Sequence, residues 1–248
     1  MTLAQAERRV TSSRVSAPMQ LHHTIHSRGQ SPKLSQEAHP IESTLDSESE
    51  CAASSKSPSD RPSCFSLDTE EHRECQQYFY SENTARRLAE AVLAFYEYDN
   101  SAIESNVCCL CTPAIAEVLH VEYNMNVTLL DIDDRFAYMP GYHHFDMTTN
   151  DPTKFGPFKT IIFDPPYFGI DMDQMARAVQ SLGGSRPQLL VAFRRREEQQ
   201  LLRAFNAFNL RPTTFALEYA RVKPAKWTNY GLYANCDLIG IKRLKGGK

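Results

Sequence analysis

Residues 71–248 predict an α/β domain on a seven-stranded, mostly parallel sheet with an antiparallel edge strand, behind a disordered N-terminal tail of residues 1–70. Three observations carry this expectation. Strand-like apolar runs alternate with segments of helical period, which implies parallel strands joined by right-handed crossovers and covered by helices on both faces. The last two strand-like runs have no helix between them and should pair antiparallel at one edge. The composition also shifts near residue 70. Before it the chain is rich in Ser, Pro, Thr and Gln, with almost no aromatic residue until Phe65, so there is too little apolar surface to offset the entropy of ordering.

The elements follow in chain order. Residues 81–96 set Ala85, Leu88, Ala89, Val92 and Phe95 at helical spacing, with Ser81 as a cap. Residues 107–111 read as a short buried strand, and Pro113 opens a helix reaching about residue 123. Residues 127–132 form a second strand, and His144-Phe145-Asp146 ends a third. The run Thr160-Ile161-Ile162-Phe163 is a fourth, stopped by Asp164-Pro165-Pro166. Residues 173–182 read as helix, 188–193 as strand and 197–208 as helix. Two β-rich runs, 213–222 and 233–242, close the domain around a loop with Pro224 and Trp227.

Composition excludes several classes. Lys and Arg total 27 against 30 Asp and Glu, a formal charge of −3, so no overall basic field draws the chain to nucleic acid or anionic membrane. Apolar runs fall short of the roughly eighteen residues of a membrane helix, and no secretory apolar run follows Met1. Seven cysteines, an odd number, with Cys108, Cys109 and Cys111 crowded together, argue against an oxidised secreted scaffold. Without paired CxxC spacing no zinc site is expected, and His143-His144 reads as a loop pair. Up to about residue 36 the sole acid is Glu7, among five basic residues, which is transit-peptide-like in composition but lacks an amphipathic helix. Nuclear or cytoplasmic placement is expected ahead of a mitochondrial one.

In open α/β sheets ligands sit beyond the carboxyl ends of the strands, and there the sequence places Asp164-Pro165-Pro166-Tyr167. Two prolines fix the turn and remove two backbone donors, leaving carbonyls free to accept. The Asp164 carboxylate and the Pro165 carbonyl can both accept hydrogens from an NH2 group, and Tyr167 can stack on a planar base. That set orients an amine for attack on a sulfonium methyl. Asp-Pro alone is common turn chemistry; an apolar strand, then this tetrapeptide, then Phe168-Gly169 and a helix is far more specific.

With these residues the chain resembles the DPPY/DPPF amino-methyltransferases of the probable N6-adenine methyltransferase group. Leu110-Cys111-Thr112-Pro113, the run 129–136 and the DPPY-Phe-Gly stretch are similar to the zinc-finger-bearing adenine-N6 methyltransferases of ribosomal RNA, though the zinc modules are missing. The run 77–85 and the late Tyr233-Ala234-Asn235 are similar to the elongation-factor lysine methyltransferases. Related DNA adenine methyltransferases share the core. The resemblance, over about residues 75–240, implies a Rossmann-like class I domain, S-adenosylmethionine as cofactor and no metal. It implies that the turn Cys111-Thr112-Pro113 replaces the usual glycine-rich loop, with its backbone and the Thr112 hydroxyl facing the cofactor's methionine part. Asp131, with Asp133 close behind, would hold the ribose hydroxyls, and Phe145-Asp146 would meet the cofactor's adenine, unless Asp146 is an ordinary loop acid.

The mechanism expected is direct transfer to an adenine N6 amine in DNA or RNA. Asp164 and the Pro165 carbonyl would pyramidalise the nitrogen, Pro166 would hold the turn, and Tyr167 would stack on the base. Arg194, Arg195 and Arg196 follow the fifth strand, and Lys226-Trp227 lie in the late loop; with Phe168 they are candidate nucleic-acid contacts, or else a solvated helix start and an ordinary loop. The alternative substrate is a lysine of a translation elongation factor, whose ammonium must first lose a proton. The motif serves both chemistries. A third possibility, an inactive cofactor-binding subunit, would have lost the acids or the motif, and neither is seen.

Overall fold

The computed structural model describes residues 62–66, 71, 77–99 and 106–245, all within the compact unit Ser54–Lys248. The expected tail lies outside the described residues except at 62–66. Cys64 is buried and its N–H donates to Glu117 Oε2 at 2.7 Å. One small apolar anchor in a Ser-rich stretch is too weak a signal for composition to reveal.

Among the described residues the fold is a seven-stranded sheet in the order β3-β2-β1-β4-β5-β7-β6. The strands are β1 (Val107–Leu110), β2 (Thr128–Asp131), β3 (Tyr142–His144), β4 (Thr160–Phe163), β5 (Gln188–Arg194), β6 (Arg211–Pro212) and β7 (Tyr230–Ala234). Strands β1 to β5 are mutually parallel, while β7 runs antiparallel between β5 and β6. This is the Rossmann-like α/β class expected, with the antiparallel strand one place in from the edge.

Each central strand is apolar because both of its faces are covered. Cys109 of β1, Ile162 of β4 and Leu190 and Ala192 of β5 join one core with helices α1 (Glu82–Asp99) and α2 (Pro113–Val121). Their neighbours Cys108, Leu110, Ile161, Phe163, Leu189 and Val191 join the other, with α3 (Met172–Gly183) and α4 (Glu198–Ala204). Ser81 caps α1 by accepting the Thr84 N–H at 3.2 Å, and Asp171 caps α3 through Gln174 at 3.0 Å.

Three segments differ from expectation. The helix expected over 197–208 breaks after Ala204, because Phe205 and Phe208 both turn into the core, and it resumes as a single 3-10 turn. The run 213–222 has alternate buried residues, Phe215, Leu217 and Tyr219, but makes only isolated bridges. Its backbone is clipped instead to residues 79–84, through Ala220 N to Phe79 O (2.9 Å) and Ser81 N to Glu218 O (2.8 Å). The last strand starts at Tyr230 and stops at Ala234, because the Asn235 amide takes over at its end, accepting from Leu189 N and donating to Pro187 O, both at 2.8 Å.

Gly141 joins β2 to β3 at φ +79°, and a Cβ there would lie 2.2 Å from the Val127 carbonyl oxygen. Gly141→Ala is therefore expected to lower stability by about 2–4 kcal/mol, combining left-handed strain with a backbone clash, as a reduced urea midpoint at unchanged slope.

Candidate active site

The parallel strands end on one rim, and Cys111, Asp131, Asp146, Asp164 and Arg194 stand at the ends of β1 to β5. Asp164 is the centre. Tyr167 donates its hydroxyl to Asp164 Oδ1 at 2.9 Å and Tyr219 donates to Oδ2 at 3.4 Å, with the two hydroxyls 3.2 Å apart. Tyr80 makes a third hydroxyl contact with the same carboxylate. Burial pushes the Asp164 carboxyl up to about 7 against the opposing effect of the three hydroxyls. Burial and the adjacent carboxylate push the tyrosines well above their ordinary range, so they remain donors. No cation pairs with Asp164 among the described residues. The rings make a wall: Tyr80–Tyr219 at 5.1 Å, Tyr219–Tyr230 at 4.9 Å and Tyr167–Tyr230 at 5.7 Å between centroids.

Tyr167 is therefore not an open stacking platform. Its ring packs on Tyr230 and Phe193, and the Arg194 guanidinium lies 5.2 Å from its centroid. Phe168 is the outward aromatic, 63% exposed.

On one side of Asp164 lies a cleft of about 260 Å³, lined among others by Gln77, Cys111, Asp131, Phe145, Asp146, Pro166 and Phe168. Asp131 is buried, accepts from Asp133 N at 2.9 Å and from Gln77 Nε2 at 3.2 Å, and is raised by burial to about 6. Asp133 does not line this cleft. Its carboxylate is held by Arg135, with Oδ2 2.6 Å from a guanidinium nitrogen. Thr112 and Pro113 are also turned away, since the Thr112 hydroxyl donates to the Ile162 carbonyl at 3.3 Å and Pro113 is buried at the start of α2. The Asp146 carboxylate closes a turn on Thr148, whose N–H and hydroxyl lie at 2.8 and 2.6 Å and hold it below the usual range.

On the other side a pocket of about 390 Å³ is lined by Tyr78, Tyr167, Phe168, Arg194, Arg195, Arg196, Thr228, Asn229 and Tyr230. A narrow slot bordered by Gln77, Tyr78, Cys111, Asp164, Pro165 and Tyr167 lies between the two. Arg194 is largely committed: one guanidinium nitrogen donates to the Tyr167 carbonyl at 2.9 Å and meets Glu197 at 2.6 Å. Lys226 and Trp227 do not line this pocket. Trp227 packs on the core and donates Nε1–H to the Val222 carbonyl at 2.9 Å. Gln77, Tyr78, Tyr80, Tyr219 and Tyr230 are site residues that sequence reasoning missed. The unusual polar-aromatic run 77–80 was the available signal, whereas Tyr219 and Tyr230 gave none.

No group of three or more potential metal ligands occurs among the described residues, and His144 instead bonds Asp134 at 2.8 Å. No described helix is long and apolar enough to cross a membrane.

Among solved structures, magnesium protoporphyrin IX methyltransferase of Synechocystis with bound SAM is 12% identical over 61% of this chain and 80% of that one, TM-score 0.39. The N-methyltransferase NodS of Bradyrhizobium japonicum is 14% identical over 62% and 97%, TM-score 0.39. A protein-lysine N-methyltransferase of Caenorhabditis elegans is 28% identical over 134 residues, 49% of this chain and 61% of that protein. The chain thus spans about three fifths of that relative's length. The sequence model of the family described as Probable N6-adenine methyltransferase matches residues 71–238, two thirds of the chain and all of the rim just described: the chain belongs to this family of S-adenosylmethionine-dependent methyltransferases.

Proposed function

We propose that this enzyme methylates the ε-amine of a protein lysine. The observation that carries the reading is the Asp164 slot: a partly buried carboxylate, ringed by neutral tyrosine hydroxyls and without a cation among the described residues. A lysine ammonium supplies the missing charge, and the tyrosine faces favour it further through their quadrupoles. The similarity to a protein-lysine methyltransferase supports the same choice.

S-adenosylmethionine supplies a methyl group activated on a sulfonium. The cleft beside Asp164 suits it, since Asp131 is a buried carboxylate facing the cleft at the end of β2, where an acid accepts both ribose hydroxyls. Phe145 and Asp146 would hold the adenine end of the cofactor, and the backbone of the Cys111 turn its methionine end. Lysine enters from the outer pocket past Tyr78 and Tyr167. Asp164 draws the ammonium in, and the desolvated slot brings the lysine pKa down towards that of the carboxyl, so the ammonium can pass one proton to the Asp164 carboxylate before attack. Asp164 and the Pro165 carbonyl then hold the remaining N–H bonds and aim the lone pair, while Pro166 keeps the turn rigid. Catalysis is orientation plus preorganised electrostatics.

The second reading is methylation of adenine N6 in nucleic acid. It is favoured by the three arginines on the outer pocket, which suit phosphate contacts. Labelled methyl transfer to a protein lysate, RNA and DNA in parallel separates the two. The lysine reading expects methyl-lysine after hydrolysis, with a loss of at least about a hundredfold in Asp164→Asn. Label recovered as N6-methyladenine overturns it.

Because Asp164 acts as an anion, kcat/KM should rise about tenfold per pH unit below 7 and level off above it. Tyr219→Phe removes a hydroxyl that lowers this pKa, so the acidic limb should move to higher pH in a rate–pH profile. Asp131→Asn should weaken S-adenosylmethionine binding by about ten- to a hundredfold in calorimetry. Wild-type affinity should fall as pH drops below about 6, where Asp131 takes up a proton.

A further inference from the structure

We propose that the outer pocket reads an acidic side chain beside the target lysine, so that the enzyme selects lysines in acidic segments. This rests on the lysine reading and names the substrate class for the same site. The charged residues lining the pocket are Arg194, Arg195 and Arg196, and no carboxylate lines it among the described residues. Behind them a single carboxylate is shared: Glu197 meets Arg194 at 2.6 Å and Arg196 at 3.3 Å. Three guanidinium groups against one carboxylate leave a surplus of positive charge.

Arg195 is held ready for an anion. Its Nε donates to the Tyr230 carbonyl at 3.0 Å, and a Cβ on Gly231 would lie 3.1 Å from the guanidinium carbon. The glycine of β7 therefore leaves room for the guanidinium to rest against the strand, with its two terminal nitrogens unengaged among the described residues. The Arg196 side chain is 70% exposed on the same rim. A planar fork anchored at one nitrogen suits a carboxylate, which it can bind through two parallel hydrogen bonds.

The pocket also fits the slot. Tyr78 and Tyr167 border both, so a lysine at Asp164 places its chain neighbours against the arginines. One negative centre in the slot and a positive rim outside match a lysine flanked by acids. An extended nucleic-acid strand needs a longer basic track, and Lys226 lies outside the pocket.

The test uses the full chain and synthetic peptides with one central lysine flanked by Glu, Gln or Lys, methylated from labelled S-adenosylmethionine. An adenine-containing RNA oligonucleotide serves as the parallel acceptor. The Glu-flanked peptide should show a KM about five- to tenfold below the Gln-flanked one at 50 mM salt, shrinking as salt screens the contact. Arg195→Gln with Arg196→Gln should bring the ratio near unity. Arg195→Glu with Arg196→Glu should turn the preference towards Lys-flanked peptides, which a merely structural role would not do. Gly231→Ala should reduce the ratio by displacing Arg195 while both charges remain. Equal methylation of Glu- and Gln-flanked peptides by the wild type, or a preference that survives these variants, overturns the proposal and leaves the lysine reading standing. Label in the oligonucleotide and in no peptide overturns both.

Discussion

The site is organised around one carboxylate, Asp164, kept partly out of water by neutral hydroxyls instead of a cation. An unpaired charge in such a place ordinarily costs several kcal/mol. Here the hydroxyls of Tyr80, Tyr167 and Tyr219 recover part of that cost, and burial wins the remainder, leaving the group poised near 7. The three tyrosines come from three distant stretches of chain: the segment before α1, the turn after β4 and the extended run after β6. Their convergence explains local features that otherwise look arbitrary. The bridge between Tyr80 and Tyr219 and the bond from Ala220 N to Phe79 O serve to bring two hydroxyls onto one acid.

Two carboxylates, Asp131 and Asp164, stand at the ends of the strands flanking β1, both raised by burial, to about 6 and about 7. An acid whose pKa is higher folded than unfolded binds more protons in the native state, so its contribution to stability falls as pH rises. That fall begins near the ordinary carboxyl value of about 4 and is complete only above the folded values. Near pH 7 and above, the ligand-free domain bears the cost of both anions. Hydroxyl donors at Asp131 and an ammonium at Asp164 would reverse it, so ligand affinity is drawn from stability the fold has given up.

Much of this was legible from sequence because burial on both faces compresses the central strands into short apolar runs. The ends of those runs mark the rim, and Asp164 follows from that alone, whereas Asp131 is preferred to Asp133 through the family resemblance. The hydrogen-bond partners of side chains could not be read in the same way. Thr112 turns to the distant Ile162 carbonyl, while Asp133 and Trp227 turn to their near neighbours Arg135 and the Val222 carbonyl, and a pattern of apolar runs does not say which polar partner a side chain takes. Tyr219 escaped notice for the converse reason. Its alternating neighbours read as a strand, but the run binds residues 79–84 in place of a sheet partner. Phe205 and Phe208 likewise end a helix whose intrinsic preference would carry it further.

The turn after β1 shows how backbone and chemistry constrain each other. Cys111 sits at φ +54°, where glycine is the unstrained residue, and a side chain there costs roughly 1–2 kcal/mol. The conformation persists because the Cys111 N–H donates to the Leu130 carbonyl at 2.9 Å, locking the exit of β1 to β2. The side chain borders both the cleft beside Asp131 and the slot at Asp164. A glycine would leave extra space where the two meet, whereas a thiol fills it without adding charge. Burial, reinforced by the negative charges of Asp131 and Asp164, holds this thiol well above its ordinary range, so it remains protonated. It is therefore a poor nucleophile towards an activated methyl, and on the proposed reading an amine held at Asp164 would meet no competitor from the wall of its own site.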